Sequence, residues 1–366
     1  MRSVPRAFDA APAEIVWETT RAGGPAPLDP VADPRPREPG ELSTIEAMLM
    51  MNRLRAFGRP RLVLSGGDPT LRADLVGIVD HARRLDLPTA LVTADSDRLD
   101  GERLARLHET GLGAVIVAMA DPDGGSLGPA GRRLLREIGA AASASGIALE
   151  AVTAAPEPAE LQALRAILLE VGARRWWARF PIPCTGGKTP DPGTVEETLV
   201  AMAGLSRDAP FGVATRAAPH YRRVLLQRRR GDRERSGTAE LSIHELHGAS
   251  PPINDGDGTL FVGHAGEIRP SASLPMTAGN VRTHDVVETY RSDPVFLALR
   301  DRDRLKGKCG RCEYRTVCGG SRARARALTG DVLAPDPACP HRPTGEADGA
   351  DGPVQDRLAA CSGWKG

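Results

Sequence analysis

The sequence predicts an α/β fold followed by a second, smaller domain. Between residue 13 and residue 206, six short β-branched or apolar runs alternate with longer amphipathic stretches, which is typical of parallel strands joined by crossover helices. At 366 residues the chain is long for one ordinary domain, which favours about two folded units. Successive βα units fit either a doubly wound sheet or an open, partial (β/α) barrel, and periodicity does not separate the two.

Local sequence signals mark the helices and the strands of the predicted βα units. The helices have recognisable ends, because Ser43 with Glu46 three residues on forms a capping box, and Gly58, Gly111 and Gly172 stand where C-caps belong. The predicted strands span residues 14–19, 61–65, 89–93, 114–119, 147–153 and 175–180. All six have the length of an ordinary strand.

The alternation breaks after residue 206. An Arg-rich stretch at 228–235 and a segment of Pro, Asn, Asp and Gly at 250–258 predict an interdomain connection over residues 207–258. Two short apolar runs at 259–262 and 267–269, with a turn at Gly266 between them, predict a hairpin, and a helix follows over residues 286–300. The tail over residues 344–366 is rich in Gly, Asp and Pro, which predicts disorder.

Charge and hydropathy argue against several classes of partner. The 48 Lys and Arg residues nearly balance the 47 Asp and Glu residues, so the net charge predicts neither a nucleic acid nor an anionic membrane as partner. No stretch resembles a secretory signal or approaches the roughly 18 apolar residues of a membrane span. We therefore expect a cytoplasmic protein, in which cysteines are metal ligands, reactive thiols or core residues before they are disulfides.

Four cysteines form the most specific motif of the chain. Cys309, Cys312, Cys318 and Cys339 have the spacing C-x2-C-x5-C-x20-C. Four thiolates saturate either one tetrahedral zinc ion or the four irons of a cubane cluster, so the spacing leaves an iron-sulfur cluster and a structural zinc site open. Arginines crowd the segment, and we expect them to lower the pKa values of the thiols and to offset the charge of a cluster. They are Arg311, Arg315, Arg322, Arg324 and Arg326.

The two other cysteines, one histidine and two glycines are assigned separately from the four-cysteine motif. Cys184 and Cys361 stand alone and are predicted not to be ligands. His341 is either a substitute ligand or a neighbour of the metal site. The backbone amides of Gly319 and Gly320 are expected to donate hydrogen bonds to sulfide.

The segment at residues 306–341, KGKCGRCEYRTVCGGSRARARALTGDVLAPDPACPH, closely resembles the auxiliary-cluster domain, of the SPASM or twitch type, of radical S-adenosylmethionine (SAM) proteins related to haem-maturation enzymes. Four further runs look like the same family: LSGGDP at 64–69, APHYRR at 218–223, INDGDG at 253–258 and GHAGEIRPSASLP at 263–275. The resemblance covers residues 13–343. It implies an N-terminal tail over residues 1–12, a partial (β/α)6 barrel over 13–206, a connection over 207–258 and a small α+β iron-sulfur domain over 259–343.

The comparison with the family also indicates that three cysteine ligands are missing from this chain. In such enzymes a C-x3-C-x2-C loop after the first strand holds a 4Fe-4S cluster by three irons, and SAM binds the fourth. The corresponding residues here are Gly23, Pro27 and Pro30. Asp29 offers one hard oxygen where iron-sulfur clusters take thiolate. The resemblance therefore implies a protein that does not generate a 5′-deoxyadenosyl radical by itself.

A second family feature is retained. Gly66, Gly67, Asp68 and Pro69 match the turn whose backbone carbonyls hold the amino group of SAM in the family, although such a turn is also an ordinary connection between a strand and a helix. The ends of the third, fourth and fifth strands are mostly apolar, where family members offer polar side chains to SAM. We therefore expect SAM binding to have decayed with the cluster.

Two other runs are expected near the site. CTGGK, at residues 184–188, lacks the spacing of a phosphate-binding loop and is predicted to line the mouth of the barrel. His220 and Tyr221 are predicted to pack between the domains, with substrate contact as the alternative.

These observations lead to three hypotheses about function. The first is a radical SAM homologue with one auxiliary 4Fe-4S cluster and no radical chemistry of its own, acting as the partner of an active radical SAM enzyme or as a binder of its substrate or of an electron. The second is a maturase that still modifies a peptide or tetrapyrrole with SAM. The third is a zinc-stabilised binding protein.

Overall fold

The computed structural model describes residues 8–23, 39–94, 98–119, 128–183, 190–236 and 253–344, with side chains to residue 231 in the fifth range. Several predictions lie outside these residues. They concern Pro27, Asp29, Pro30, Cys184, Cys361, the CTGGK run and most of both terminal tails.

The described chain alternates strands and helices, and all six predicted strands lie within two residues of their predicted bounds. The strands are β1 (Glu14–Thr20), β2 (Arg61–Gly66), β3 (Thr89–Thr93), β4 (Leu112–Ala118), β5 (Ala148–Ala154), β6 (Arg175–Arg179), β7 (Gly212–Arg216), β8 (Thr259–Val262), β9 (Glu267–Arg269) and β10 (Gly279–Asn280). The helices are α1 (Thr44–Leu54), α2 (Leu75–Arg84), α3 (Gly101–Glu109), α4 (Pro129–Ser145), α5 (Leu161–Glu170), α6 (Pro192–Asp208), α7 (His220–Ser236), α8 (Val286–Ser292), α9 (Pro294–Arg300), α10 (Gly307–Arg311) and α11 (Arg322–Thr329). The capping box of Ser43 and Glu46 forms at the start of α1.

The order of the strands decides between the two architectures that the sequence left open. Strands β1 to β7 are parallel and lie side by side in chain order, within a sheet ordered β10-β9-β8-β1-β2-β3-β4-β5-β6-β7. A doubly wound sheet would reverse direction at a switch point, and this order does not. The fold is therefore the open, partial barrel followed by a small α+β unit, as the resemblance implies.

One βα unit was missed by the sequence analysis. Strand β7 and helix α7 lie within residues 207–258, the segment predicted to be a connection. β7 pairs with β6 along its whole length, so the barrel has seven units among the described residues instead of six. The Arg-rich sequence of α7 obscured its helical pattern, and the division into domains at residues 206 and 258 stays a prediction.

The two faces of the sheet have different partners. One face packs against the helices in the largest apolar cluster, which includes Ile15, Trp17 and Leu64. The opposite face forms a cluster of strand residues only, such as Val92 and Ala118, that fills the inside of the barrel. The helices therefore surround the strands on the outside, as in barrels.

A polar network lies inside the barrel where β1 and β2 begin. The Glu150 carboxylate is 2.9 Å from a guanidinium nitrogen of Arg61 and accepts a hydrogen bond from Trp177 Nε1 at 3.0 Å. Arg216 pairs with Glu14 at 2.7 Å and stacks 4.5 Å above the Trp177 ring. Charged side chains and one tryptophan thus fill this end of the interior. The other end, at the carboxyl ends of the strands, is the side where barrels bind ligands.

The small unit continues the barrel sheet. The predicted hairpin is formed by β8 and β9, and β8 pairs with β1 in parallel. The helix predicted over residues 286–300 is two helices, because Asp293 ends α8 and caps α9, and Pro294 begins α9. No helix among the described residues is long and apolar enough to cross a membrane.

Candidate metal centre

Four cysteine side chains line one cleft. Cys309 lies in α10, Cys312 ends that helix, Cys318 follows the next turn, and Cys339 lies beyond α11. Cys309 and Cys318 are buried, whereas Cys312 and Cys339 are partly exposed. The structure thus brings together the four residues that the spacing predicts. The cleft is also lined by His220, Arg223, Lys308, Arg315, Gly319, Gly320, His341 and Pro343.

The backbone around the cysteines suits thiolates. Gly319 and Gly320 have φ values of +72° and +67°, which favour glycine. The N–H of Gly320 donates to Cys318 Sγ at 3.4 Å, and the N–H of Tyr314 donates to Cys312 Sγ at the same distance. The expected amide bond to sulfur from Gly320 is therefore directed at a cysteine. Four cysteine sulfurs at one cleft, with amide donors to two of them, are the kind of donor set that either a 4Fe-4S cluster or a zinc ion takes.

The arginines of the segment do not act as expected. Arg322 and Arg324 are fully buried and donate mainly to backbone carbonyls and to Asp336. Burial raises the pKa of the Cys318 thiol to about 11 and also raises the pKa values of Cys312 and Cys339. The prediction that these pKa values are lowered is therefore wrong, because desolvation outweighs the nearby positive charges.

The barrel holds the cysteine loop directly. Arg222, at the start of α7, donates to the carbonyl oxygen of Cys318 at 3.3 Å and also to that of Val317. Asn254 Nδ2 donates to the Gly320 carbonyl oxygen at 2.8 Å. The position of the cleft therefore depends on the barrel as well as on the small unit.

A second donor set overlaps the four cysteines. One ligand atom each of Cys312, Glu313 and His341 lies within 4.8 Å of the other two, and His341 Nε2 is 3.0 Å from Glu313 Oε1. These mixed donors suit zinc better than an iron-sulfur cluster. His341 thus stays an alternative ligand, as the sequence suggests.

The GGDP turn is bound to the loop that follows β1. The N–H of Gly67 donates to the Thr20 carbonyl oxygen at 2.8 Å, and the N–H of Asp68 donates to that of Ala22 at 2.7 Å. Gly66 has φ +123°, and a Cβ atom there would lie 2.1 Å from the Thr20 carbonyl oxygen. Gly66 to Pro69 are not among the residues that line the cysteine cleft.

Gly66→Ala is expected to lower the free energy of unfolding by about 2–3 kcal/mol, because the new methyl group collides with backbone at a φ that favours glycine. Urea denaturation measures the change. Gly77→Ala is the control, since a Cβ at this exposed position in α2 meets nothing within 4 Å and should stabilise the helix by about 0.5–1 kcal/mol. Equal effects of the two substitutions would contradict the prediction.

Gly23 has no room for a side chain. Its φ is +91°, and a Cβ atom would lie 2.6 Å from Leu71 Cδ1 and 2.8 Å from Asp68 Cβ. The backbone at the first of the three family ligand positions is therefore closed against the GGDP turn.

A buried polar group at the end of β1 was missed by the sequence analysis. His264 Nδ1 lies 2.8 Å from Glu18 Oε2, and the backbone N–H of His264 donates to the same oxygen at 3.1 Å. Thr20 Oγ1 donates to Glu41 Oε1 at 2.8 Å, and the N–H of Arg21 donates to the same atom. Spacing in the sequence could not reveal the pair of Glu18 and His264, because the two residues are 246 positions apart.

The pair of Glu18 and His264 predicts a pH optimum of stability. Burial opposes ionisation of both groups, but their mutual contact holds the pKa of Glu18 below 4.5 and the pKa of His264 above 6.5. The contribution of Glu18 is lost as the pH falls through its folded pKa, and that of His264 is lost as the pH rises through its own. Glu18→Gln should therefore cost most, about 1.5–3 kcal/mol, between pH 4.5 and 6.5.

Urea denaturation of the wild type and of Glu18→Gln from pH 4 to 9 measures this difference. His81→Gln removes an exposed imidazole that contacts Asn52 and serves as the control. A cost of Glu18→Gln that does not vary with pH would contradict the assignment of the pair.

Comparisons with known proteins agree with the resemblance seen in the sequence. No protein-family model matches the chain. It is 30% identical over 316 residues to the AdoMet-dependent heme synthase of Methanosarcina barkeri, across 83% of this chain and 89% of the relative. It is 26% identical over 323 residues to the PqqA peptide cyclase of Gluconobacter oxydans, across 83% of each chain.

Solved structures show the same fold. SuiB of Streptococcus suis bound to S-adenosylmethionine has a TM-score of 0.64 at 15% identity and covers 91% of this chain and 78% of its own. Native anSMEcpe with bound AdoMet and Cp18Cys peptide has a TM-score of 0.57 at 12% identity and covers 88% and 92%. Together with the similarity to the heme synthase, the shared fold leads to one assignment: the chain belongs to the radical SAM family with a C-terminal SPASM- or twitch-type domain.

Proposed function

We propose that this protein carries one auxiliary 4Fe-4S cluster on Cys309, Cys312, Cys318 and Cys339 and does not generate radicals by itself. The observation that carries the proposal is a contrast within one chain. The four cysteines of the C-terminal motif converge on one cleft, whereas Gly23, at a ligand position of the first cluster, leaves no space for a side chain.

The cleft favours a cluster over an isolated set of thiols. Four cysteines that line one cleft match the number of thiolates that a 4Fe-4S cluster takes, and thiolates bind metal in the deprotonated form. Bound there, a 4Fe-4S cluster supplies one-electron transfer. The chain's part is to hold the four sulfurs, to donate amide hydrogen bonds to them and to limit access of water.

The end of β1 supports the absence of autonomous radical chemistry. The loop after β1 is bound through Ala22 to Asp68 of the GGDP turn, at 2.7 Å. At the same strand end, Glu18 pairs with His264, and Glu41 accepts a hydrogen bond from Thr20 Oγ1. These are hard oxygen and nitrogen donors, and they do not replace three thiolates.

The relatives suggest the pathway. They are named for the synthesis of haem and for the cyclisation of the PqqA peptide. We therefore propose that this protein acts in the maturation of a tetrapyrrole or a peptide, as the partner of an active radical SAM enzyme or as a binder of its substrate or of an electron.

Two alternatives each have one supporting observation. The retained GGDP turn favours a SAM-dependent maturase whose radical cluster is supplied in some other way. The set of Cys312, Glu313 and His341 favours a structural zinc ion.

Two measurements on the protein purified without oxygen test the proposal: its content of iron, acid-labile sulfide and zinc, and its formation of 5′-deoxyadenosine from SAM under dithionite. We expect about four irons and four sulfides per chain and no 5′-deoxyadenosine.

The other outcomes reject parts of the proposal. About one zinc without sulfide would replace the cluster by a structural metal site. About eight irons, or 5′-deoxyadenosine formed by the wild type, would overturn the absence of radical chemistry.

A further inference from the structure

Helix α7 reaches the cysteine cleft from the barrel. His220 and Arg223, which are one turn apart on this helix, both line the cleft and are only 1% and 2% exposed. Arg223 Nε and His220 Nδ1 are buried without a hydrogen-bond partner among the described residues, and His220 Nε2 has only an ion-pair contact, with Asp336. Buried polar groups are nearly always hydrogen-bonded, so two such atoms in one wall indicate a partner that binds in the cleft.

Both side chains also contact residues that do not line the cleft. Glu196 accepts from the two terminal nitrogens of Arg223, at 2.9 and 2.5 Å, and Gln227 accepts at 2.7 Å. His220 Nε2 lies 3.0 Å from Asp336 Oδ2. The contacts with Glu196 and Gln227 engage the terminal nitrogens of Arg223 and leave its Nε, a buried donor, without a hydrogen-bond partner among the described residues.

Arg223 lies close to the cysteines. Its side chain lines the same cleft as Cys309, Cys312, Cys318 and Cys339. Arginine keeps its positive charge at every accessible pH, so it is a permanent donor. Lys308 and Arg315 also line the cleft, but both are more exposed.

We propose that Arg223 is a positioning residue for the auxiliary cluster, donating from Nε to a cluster or cysteine sulfur and stabilising the reduced state. The proposal rests on the proposed function above. One electron from an external reductant adds one negative charge to the cluster, and no bond forms or breaks. A fixed positive charge at a buried sulfur favours that state, since hydrogen bonds and charge near the sulfurs set the potentials of such clusters.

The test is a redox titration followed by electron paramagnetic resonance, using dithionite as the reductant. The chains compared are the wild type, Arg223→Gln, Arg223→Lys and Glu196→Gln. At the potential where half of the wild-type cluster is reduced, Arg223→Gln should lower the ratio of reduced to oxidised cluster about tenfold, which is about 59 mV for one electron. Arg223→Lys should lower it less, because it keeps the charge. Glu196→Gln should raise the ratio, because it removes the countercharge.

Shifts of opposite sign in the ratio of reduced to oxidised cluster, in Arg223→Gln and in Glu196→Gln, distinguish an electrostatic role of Arg223 from a structural one. A ratio in Arg223→Gln within twofold of the wild type, or a shift of the same sign in Glu196→Gln, would overturn the inference while leaving the cluster assignment intact. Loss of iron from both Arg223 variants would make the residue structural and overturn it as well. Zinc in the wild type would reject the proposed function and this inference together.

Discussion

Alanine at both Cys309 and Cys312 is expected to remove nearly all bound iron and sulfide, from about four of each per chain to less than about one. The two residues are separated by one turn at the end of α10 and face the same cleft, so their loss leaves only Cys318 and Cys339. Two thiolates cannot hold a cubane cluster. Iron and sulfide analysis, with the visible absorption of the cluster, measures the result.

Cys184→Ala and Cys361→Ala are the matched controls, because both cysteines lie outside the motif. They should keep the full iron content. If either control lost as much iron as the double variant, the assignment of the four ligands would be wrong.

Asp336→Ala is expected to cost about 3–5 kcal/mol of unfolding free energy. Burial of this carboxyl alone would raise its pKa, but the charge of Arg324 and the contact with His220 hold the pKa well below its usual range. Its oxygens accept from Arg324 at 3.1 Å and from the backbone N–H of Ser321 at 2.7 Å. Removing the carboxylate leaves the Arg324 guanidinium buried beside backbone carbonyls and without a countercharge, and urea denaturation measures the cost.

The controls for Asp336 lie in the same segment. Asp331→Ala removes an acidic residue whose pair with Lys306 is largely exposed, and it should cost less than about 1 kcal/mol. Asp336→Asn keeps an acceptor without the charge, and its cost in unfolding free energy should lie between those of Asp336→Ala and Asp331→Ala. A cost below about 1 kcal/mol for Asp336→Ala would mean that the buried pair does not hold the cysteine segment against the barrel.

Strand β7 and helix α7 show where sequence reasoning was insufficient. β7 is five residues long and ends in Arg216, and α7 begins HYRRVLLQRRR, so neither matches the apolar pattern of the earlier units. The arginines of α7 that are buried are stabilised by partners far along the chain: Arg222 by the carbonyl oxygen of Cys318, and Arg223 by Glu196. A pattern of hydrophobic residues cannot anticipate burial that depends on such partners.

The thiol pKa values make the same point within the cysteine motif. The sequence places Arg322 and Arg324 close to the cysteines, and nearness alone predicts lowered pKa values. In the fold, both guanidinium groups are occupied mainly by carbonyls and by Asp336, and desolvation dominates. Which effect is larger depends on burial, and burial is a property of the folded chain.

The α/β class, six of the seven βα units of the barrel, the hairpin and the four-cysteine motif could be predicted from the amino-acid sequence, because local periodicity, turn residues and spacing encode them. The folded chain was needed to establish the order of the strands, the closure of the backbone around Gly23, the pair of Glu18 and His264, and the wall that α7 adds to the cysteine cleft. Each of these depends on contacts between residues that are distant in the chain, and their free energy appears only when burial removes water from both partners.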